Sequence, residues 1–118
     1  MGQALIRNRQ EENQMAFADS LKQLPGVEGM DRLELIDANG NVAAILENKP
    51  GKAGSLAVYN HLVTRYGAID APSAKEGLQL FAEHTEDARQ NPGKHPNIDR
   101  LFEVIEKDLR FTGRPISR

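Results

Sequence analysis

The tripeptide Pro-Gly-Lys occurs twice in this chain, at positions 50–52 and 92–94, each time a few residues ahead of a stretch with helical periodicity. A helix start presents unpaired backbone N–H groups and the positive end of its dipole, so a basic, glycine-containing lead-in is suited to cradle an anion. Brought together, the two entrances would make a pocket for a phosphate or carboxylate from Lys49, Gly51, Lys52, Gly54, Ser55, Lys94 and His95. The first entrance is not a P-loop, because Gly54 leads directly to Ser55 with no lysine between them. The plainer reading of both is a Pro-Gly turn with a solvated lysine at its tip.

A second chemistry rests on the histidines His61, His84 and His95. His84 and Asp87 lie one turn apart on a predicted helix, and His95 arrives from the next segment, which makes His84, Asp87 and His95 an alternative metal-ligand set for a hydrolase-type enzyme. No His-x-x-x-His pair supports it. Ser55 is not in a Gly-x-Ser-x-Gly setting, and it lies too far round its helix from His61 to face it.

The elements that must position these residues follow from periodicity. Phe17, Leu21 and Leu24 predict a short helix from Met15 to Leu24, stopped by Pro25-Gly26. Residues 32–35 alternate charged and apolar, and Val42 to Leu46 is a short apolar run, so the two predict a hairpin around Asp37-Ala38-Asn39-Gly40-Asn41. A three-residue loop with a bulge at Gly40 sets Leu33 opposite Ile45 and Leu35 opposite Ala43. A two-residue Asn39-Gly40 turn would instead oppose Leu33 to Leu46. The bulged loop is preferred because it uses Asp37.

A second helix is expected from an N-cap at Ser55 to a left-handed Gly67, with Leu56, Tyr59, Leu62, Val63 and Tyr66 as its buried stripe. A third opens on a capping box of Ser73 and Glu76 and runs to about Asn91-Pro92-Gly93. A fourth starts after Pro96, with Ile98, Leu101, Phe102, Ile105 and Leu109 in line. The tail from Arg110 either trails off or adds an edge strand to the hairpin. The fold class expected is α+β: an antiparallel hairpin covered by three to four helices, as one domain over 15–118 behind a polar tail at 1–14.

Composition narrows the function classes. Fifteen basic against seventeen acidic residues give a net charge of -2, so no overall positive field draws in nucleic acid or anionic lipid. Aromatic residues make up 5% with no Trp, too few for a base-stacking platform. Cysteine is absent, which excludes thiol chemistry and disulfides. No apolar run approaches the ~20 residues of a membrane span, and the N-terminus lacks a signal-peptide core. The expectation is a cytoplasmic protein with no cofactor, no nucleic-acid partner and no membrane.

Residues 47–60, written Glu-Asn-Lys-Pro-Gly-Lys-Ala-Gly-Ser-Leu-Ala-Val-Tyr-Asn, together with 80–88 and 91–99 and the hairpin before them, resemble a small bacterial family of unknown function. The resemblance spans about residues 15–109 and implies a compact bacterial protein, with no activity or catalytic residue to transfer. The leading functional expectation is a non-enzymatic module that binds an anionic small molecule or a protein partner at the two Pro-Gly-Lys entrances. The alternatives are the metal-dependent hydrolase above and a homodimer or other assembly joined through the hairpin edge and the N-terminal tail.

Overall fold

Strand β1 (Met30–Ile36) is the centre of a three-stranded antiparallel sheet in which β2 (Val42–Glu47) and β3 (Thr112–Ser117) are the two edges. The computed structural model describes residues 16–118; the polar tail at 1–14, its expected role in assembly, and Met15 lie outside the described residues. The C-terminal segment thus forms the third, edge strand, where Pro115 is tolerated because an edge strand has a side with no ladder to supply. Leu33 and Leu35 are fully buried on one face of β1, while Glu34 shares the other face with Ile45 and Arg114. Glu34 is almost covered, yet it stays charged: Arg114 Nε donates to its Oε1 at 2.8 Å and Arg32 Nε to its Oε2 at 2.9 Å. These two guanidinium groups, Arg114 foremost, hold its carboxyl below the usual carboxylate range.

The hairpin combines the expected turn with a register that corrects the expected pairing. Gly40 N donates to Asp37 O, Asp37 N to Asn41 O, and the Asp37 carboxylate accepts from Asn39 N and Asn41 N, with Gly40 left-handed at φ 85°. That is the bulged three-residue loop. Yet Leu33 pairs with Leu46 and Leu35 with Ala44, because the register shifts between Leu35 and Ile36. The extra residue, Ala43, is absorbed as a second bulge. The physical gain is burial: Leu46 is 2% exposed against the helices, whereas Ile45 is 49% exposed on the far face.

Among the described residues there are five helices, one before β1 and four between β2 and β3: α1 (Phe17–Gln23), α2 (Ala53–Tyr66), α3 (Ala71–Leu80), α4 (Glu83–Gln90) and α5 (Pro96–Lys107). Helix α2 packs against all three strands, and α3 packs on both α2 and α5. Leu56, Tyr59 and Leu62 of α2 join Leu33, Leu35 and Leu46 of the sheet and Leu101 and Val104 of α5 in one core. Gly67 ends α2 in the left-handed conformation as expected, its N–H donating to Val63 O.

Three local expectations are corrected. Helix α2 begins at Ala53 with Lys52 in the N-cap position, so Ser55 lies inside the first turn and caps nothing. The capping box of α3 is Asp70 with Ser73, not Ser73 with Glu76: the Asp70 carboxylate accepts from Ser73 N at 3.1 Å, and Asp70 N donates to Ser73 Oγ at 2.8 Å. Asp70 is as good an N-cap as Ser, and Pro72 fits the first turn, where its missing N–H costs nothing. Glu76 is drawn instead to α2, where it meets His61 Nε2 at 2.7 Å and the Tyr66 hydroxyl at 2.6 Å.

The third correction shapes the site. The helix expected from Ser73 to Asn91 is broken at Phe81-Ala82, where Ala82 takes φ 54° and ψ -119°. A non-glycine residue in such a conformation is strained by roughly 1–3 kcal/mol and persists only when its surroundings impose it. Here Phe81 is sunk to 3% exposure, and Thr85 Oγ1 donates to the Leu78 carbonyl that the break leaves without its helical donor.

Candidate functional site

Both Pro-Gly-Lys segments are built as turns whose third residue is left-handed. Lys52 N donates to Lys49 O and Lys94 N to Asn91 O, with Gly51 at φ 80° and Gly93 at φ 93°. This is the arrangement of a type II turn, with Pro supplying the fixed φ of the second position and Gly the positive φ of the third. Each turn delivers its lysine to the mouth of a helix.

Tertiary packing then sets the two turns beside each other. Tyr59 of α2 is buried and reaches the second turn's helix: its hydroxyl donates to Asn97 O at 2.5 Å. Arg100 Nη1 donates to the Tyr59 oxygen at 3.2 Å and to Asn97 Oδ1 at 2.8 Å. Burial raises the Tyr59 hydroxyl to about 12, so it remains a donor. The start of α5 is therefore pinned to α2, whose own start is the first entrance.

Between them lies a cleft of about 710 Å³ lined by Gly51, Lys52, Gly54, Ser55, Lys94 and His95. Its volume falls in the range of roughly 300–1,000 Å³ typical of small-molecule sites. Lys49, the remaining residue of the expected anion set, is not part of the lining; it pairs with Glu47 at 3.0 Å. Among the described residues, nothing accepts from the N–H groups of Gly54 and Ser55 at the start of α2. Two lysines and two open donors thus share one concave surface.

The cleft also holds groups outside the expected anion set. Glu47 sits between Lys49 and Lys52, which approaches it at 3.6 Å, and the lysines, Lys49 first, hold its carboxyl below the usual range. Its spacing of two and five residues from those lysines was the available signal. The apolar floor carries Phe17 and Phe81, whose rings stack at 5.4 Å with 17° between their planes. Phe17 rests on Gly54, where a Cβ would stand 3.1 Å from its ring, so a close approach of α1 to α2 depends on that glycine. Nothing in the spacing of Phe17 and Phe81 marks them as partners, because they come from separate helices.

His84, Asp87 and His95 are drawn together, with Asp87 and His95 hydrogen-bonded and His84 in ring contact with His95. Asp87 Oδ2 pairs with His95 Nε2 at 2.7 Å and with Lys94 Nζ at 2.9 Å. His95 first and Lys94 second hold the Asp87 carboxyl down to about 2. His84 stands edge-on to Phe17, with ring centroids 5.1 Å apart, and its ring is 5.5 Å from that of His95. Among the described residues, no group of three or more His, Asp or Glu side chains is placed to hold a metal ion. An ammonium group bonded to the same carboxylate oxygen opposes a cation there, so the alternative metal set does not take shape.

Fold and cleft together define a class: a small α+β domain with helices packed on one face of an antiparallel sheet and a charged, aromatic-floored cleft at the helix mouths. The chain belongs to the DUF2322 family, described as an uncharacterised protein conserved in bacteria, which it matches over residues 17–115. No curated protein and no solved structure gave a significant match to the chain. No helix among the described residues is long and apolar enough to cross a membrane.

Proposed function

We propose that this protein is a binding module for a small anionic ligand, held in the cleft between the two Pro-Gly-Lys turns. The observation that carries the reading is that Lys52 and Lys94, from turns far apart in the chain, line one cleft together with Gly54 and Ser55, whose N–H groups no described residue accepts. A phosphate or carboxylate there would accept from the α2 start and lie between two ammonium groups.

Each lysine is already paired, Lys52 with Glu47 and Lys94 with Asp87. These carboxylates are 39% and 34% exposed, and ion pairs in such settings are weak because water and salt screen them. A ligand anion can therefore share or take over the lysines at small cost. The pairs hold both side chains at the cleft in its absence.

The test is thermal shift against inorganic phosphate for the wild type and the Lys52→Ala/Lys94→Ala variant. Phosphate is expected to raise the wild-type Tm in a concentration-dependent way and to leave the double variant unmoved. No shift in the wild type, or equal shifts in both, would overturn the reading.

A further inference from the structure

Resting on that reading, we infer that the ligand of this cleft is an aryl anion: a phosphate or carboxylate carried on a flat aromatic body. Inorganic phosphate fills only a fraction of about 710 Å³, which leaves room for a larger body. The lining of the cleft combines two chemistries. Lys52, Lys94 and the α2 donors lie at the turns, while Phe17 and Phe81 form the floor.

What favours an aromatic over an aliphatic body is the order of the rings. Phe81 stacks on Phe17, Phe17 meets the edge of His84, and His84 lies against His95, with centroids 5.4, 5.1 and 5.5 Å apart. Lys94 precedes His95 in the chain and binds the same Asp87 oxygen. A row of four rings therefore runs from the apolar floor to the cationic lip. Offset-stacked and edge-on contacts of a ligand ring with such a row add to its burial, and an alkyl chain of equal area gains only the burial. Phe17 is half-buried, and His84 is 40% exposed, so part of the row remains open to a visitor.

The experiment is isothermal titration at neutral pH with four probes: inorganic phosphate, 1-naphthyl phosphate, octyl phosphate and uncharged 1-naphthol. The naphthyl ester is expected to bind about ten-fold tighter than phosphate and than octyl phosphate, the gain that ring contacts of this kind can supply. Phe17→Ala and, separately, His84→Ala should each lower the affinity for the naphthyl ester more than that for inorganic phosphate, removing most of that advantage. Two variants on different helices keep the test sound if one of them loosens its helix. Lysine-dependent phosphate binding with no gain from the naphthyl group, or an equal gain from the octyl chain, overturns this inference alone. Naphthol binding as tightly as its phosphate ester, or no binding by any probe, overturns both this inference and the anion-binding reading beneath it.

Discussion

The turns at Lys49–Lys52 and Asn91–Lys94 share the residues Pro-Gly-Lys, the same closing hydrogen bond and a left-handed glycine, yet they meet the cleft differently. At the first, α2 opens with two N–H groups, those of Gly54 and Ser55, that no described residue accepts. At the second, the helix mouth is nearly closed by its own chain. Pro96 has no N–H, His95 O accepts from Ile98 N and Asp99 N, and the Asp99 carboxylate reaches back to Gly93 N at 2.9 Å. The first entrance thus contributes backbone donors and the second contributes side chains, Lys94 and His95, held in place by Asp87. One motif supplies two different parts of the cleft lining, and which part is decided by the residues that follow it.

The largest effect is expected from the wall the two entrances share. Phe81→Ala removes a side chain that is 3% exposed at the break between α3 and α4, and should cost about 3–5 kcal/mol in urea denaturation. A cost under about 1 kcal/mol would mean the break is not held by that ring and the entrances are joined by something else. Gly51→Ala and Gly93→Ala come next. Both impose a Cβ on a left-handed residue and should destabilise by about 1–2 kcal/mol each. Equal losses would sharpen the equivalence of the two turns, and a clear inequality would break it.

The smallest effect concerns pH. Asp87 binds its proton at about 2 in the folded chain against 3.8 for the ordinary side chain, so folding favours the ionised form. Its contribution to stability is complete above about pH 4 and is lost as the pH falls through about 2. The wild-type Tm is therefore expected to fall more steeply than that of Asp87→Asn across that window. Parallel curves would show that Asp87 does not hold the second entrance in place.

Much of the fold was legible in the letters. The alternation at Leu33 and Leu35, the Asp37-to-Gly40 turn, the Gly67 stop and the Pro96 start each express a local rule that the structure keeps. The failures were also local, and all had a neighbour behind them. Glu76 fits a capping box with Ser73 until His61 and Tyr66 compete for its oxygens. Ser55 has the right type for an N-cap, but the Pro-Gly turn starts the helix before it. The hairpin loop forms as its residues dictate, and the sheet then slips by one residue to exchange Ile45 for Leu46 in the core.

By itself, then, the sequence determined the kind of each element and the nature of both turns, because φ preferences, caps and periodicity act within a few residues of chain. Only the tertiary structure decided that the turns meet. That depends on the hydroxyl of Tyr59 reaching Asn97, on Phe81 sinking against Phe17, and on Ala82 accepting a conformation that nothing in Leu-Phe-Ala-Glu announces. Burial of a few large side chains outweighs the helical preference of that segment, and the break it forces sets His84 beside Phe17 and His95 at the cleft.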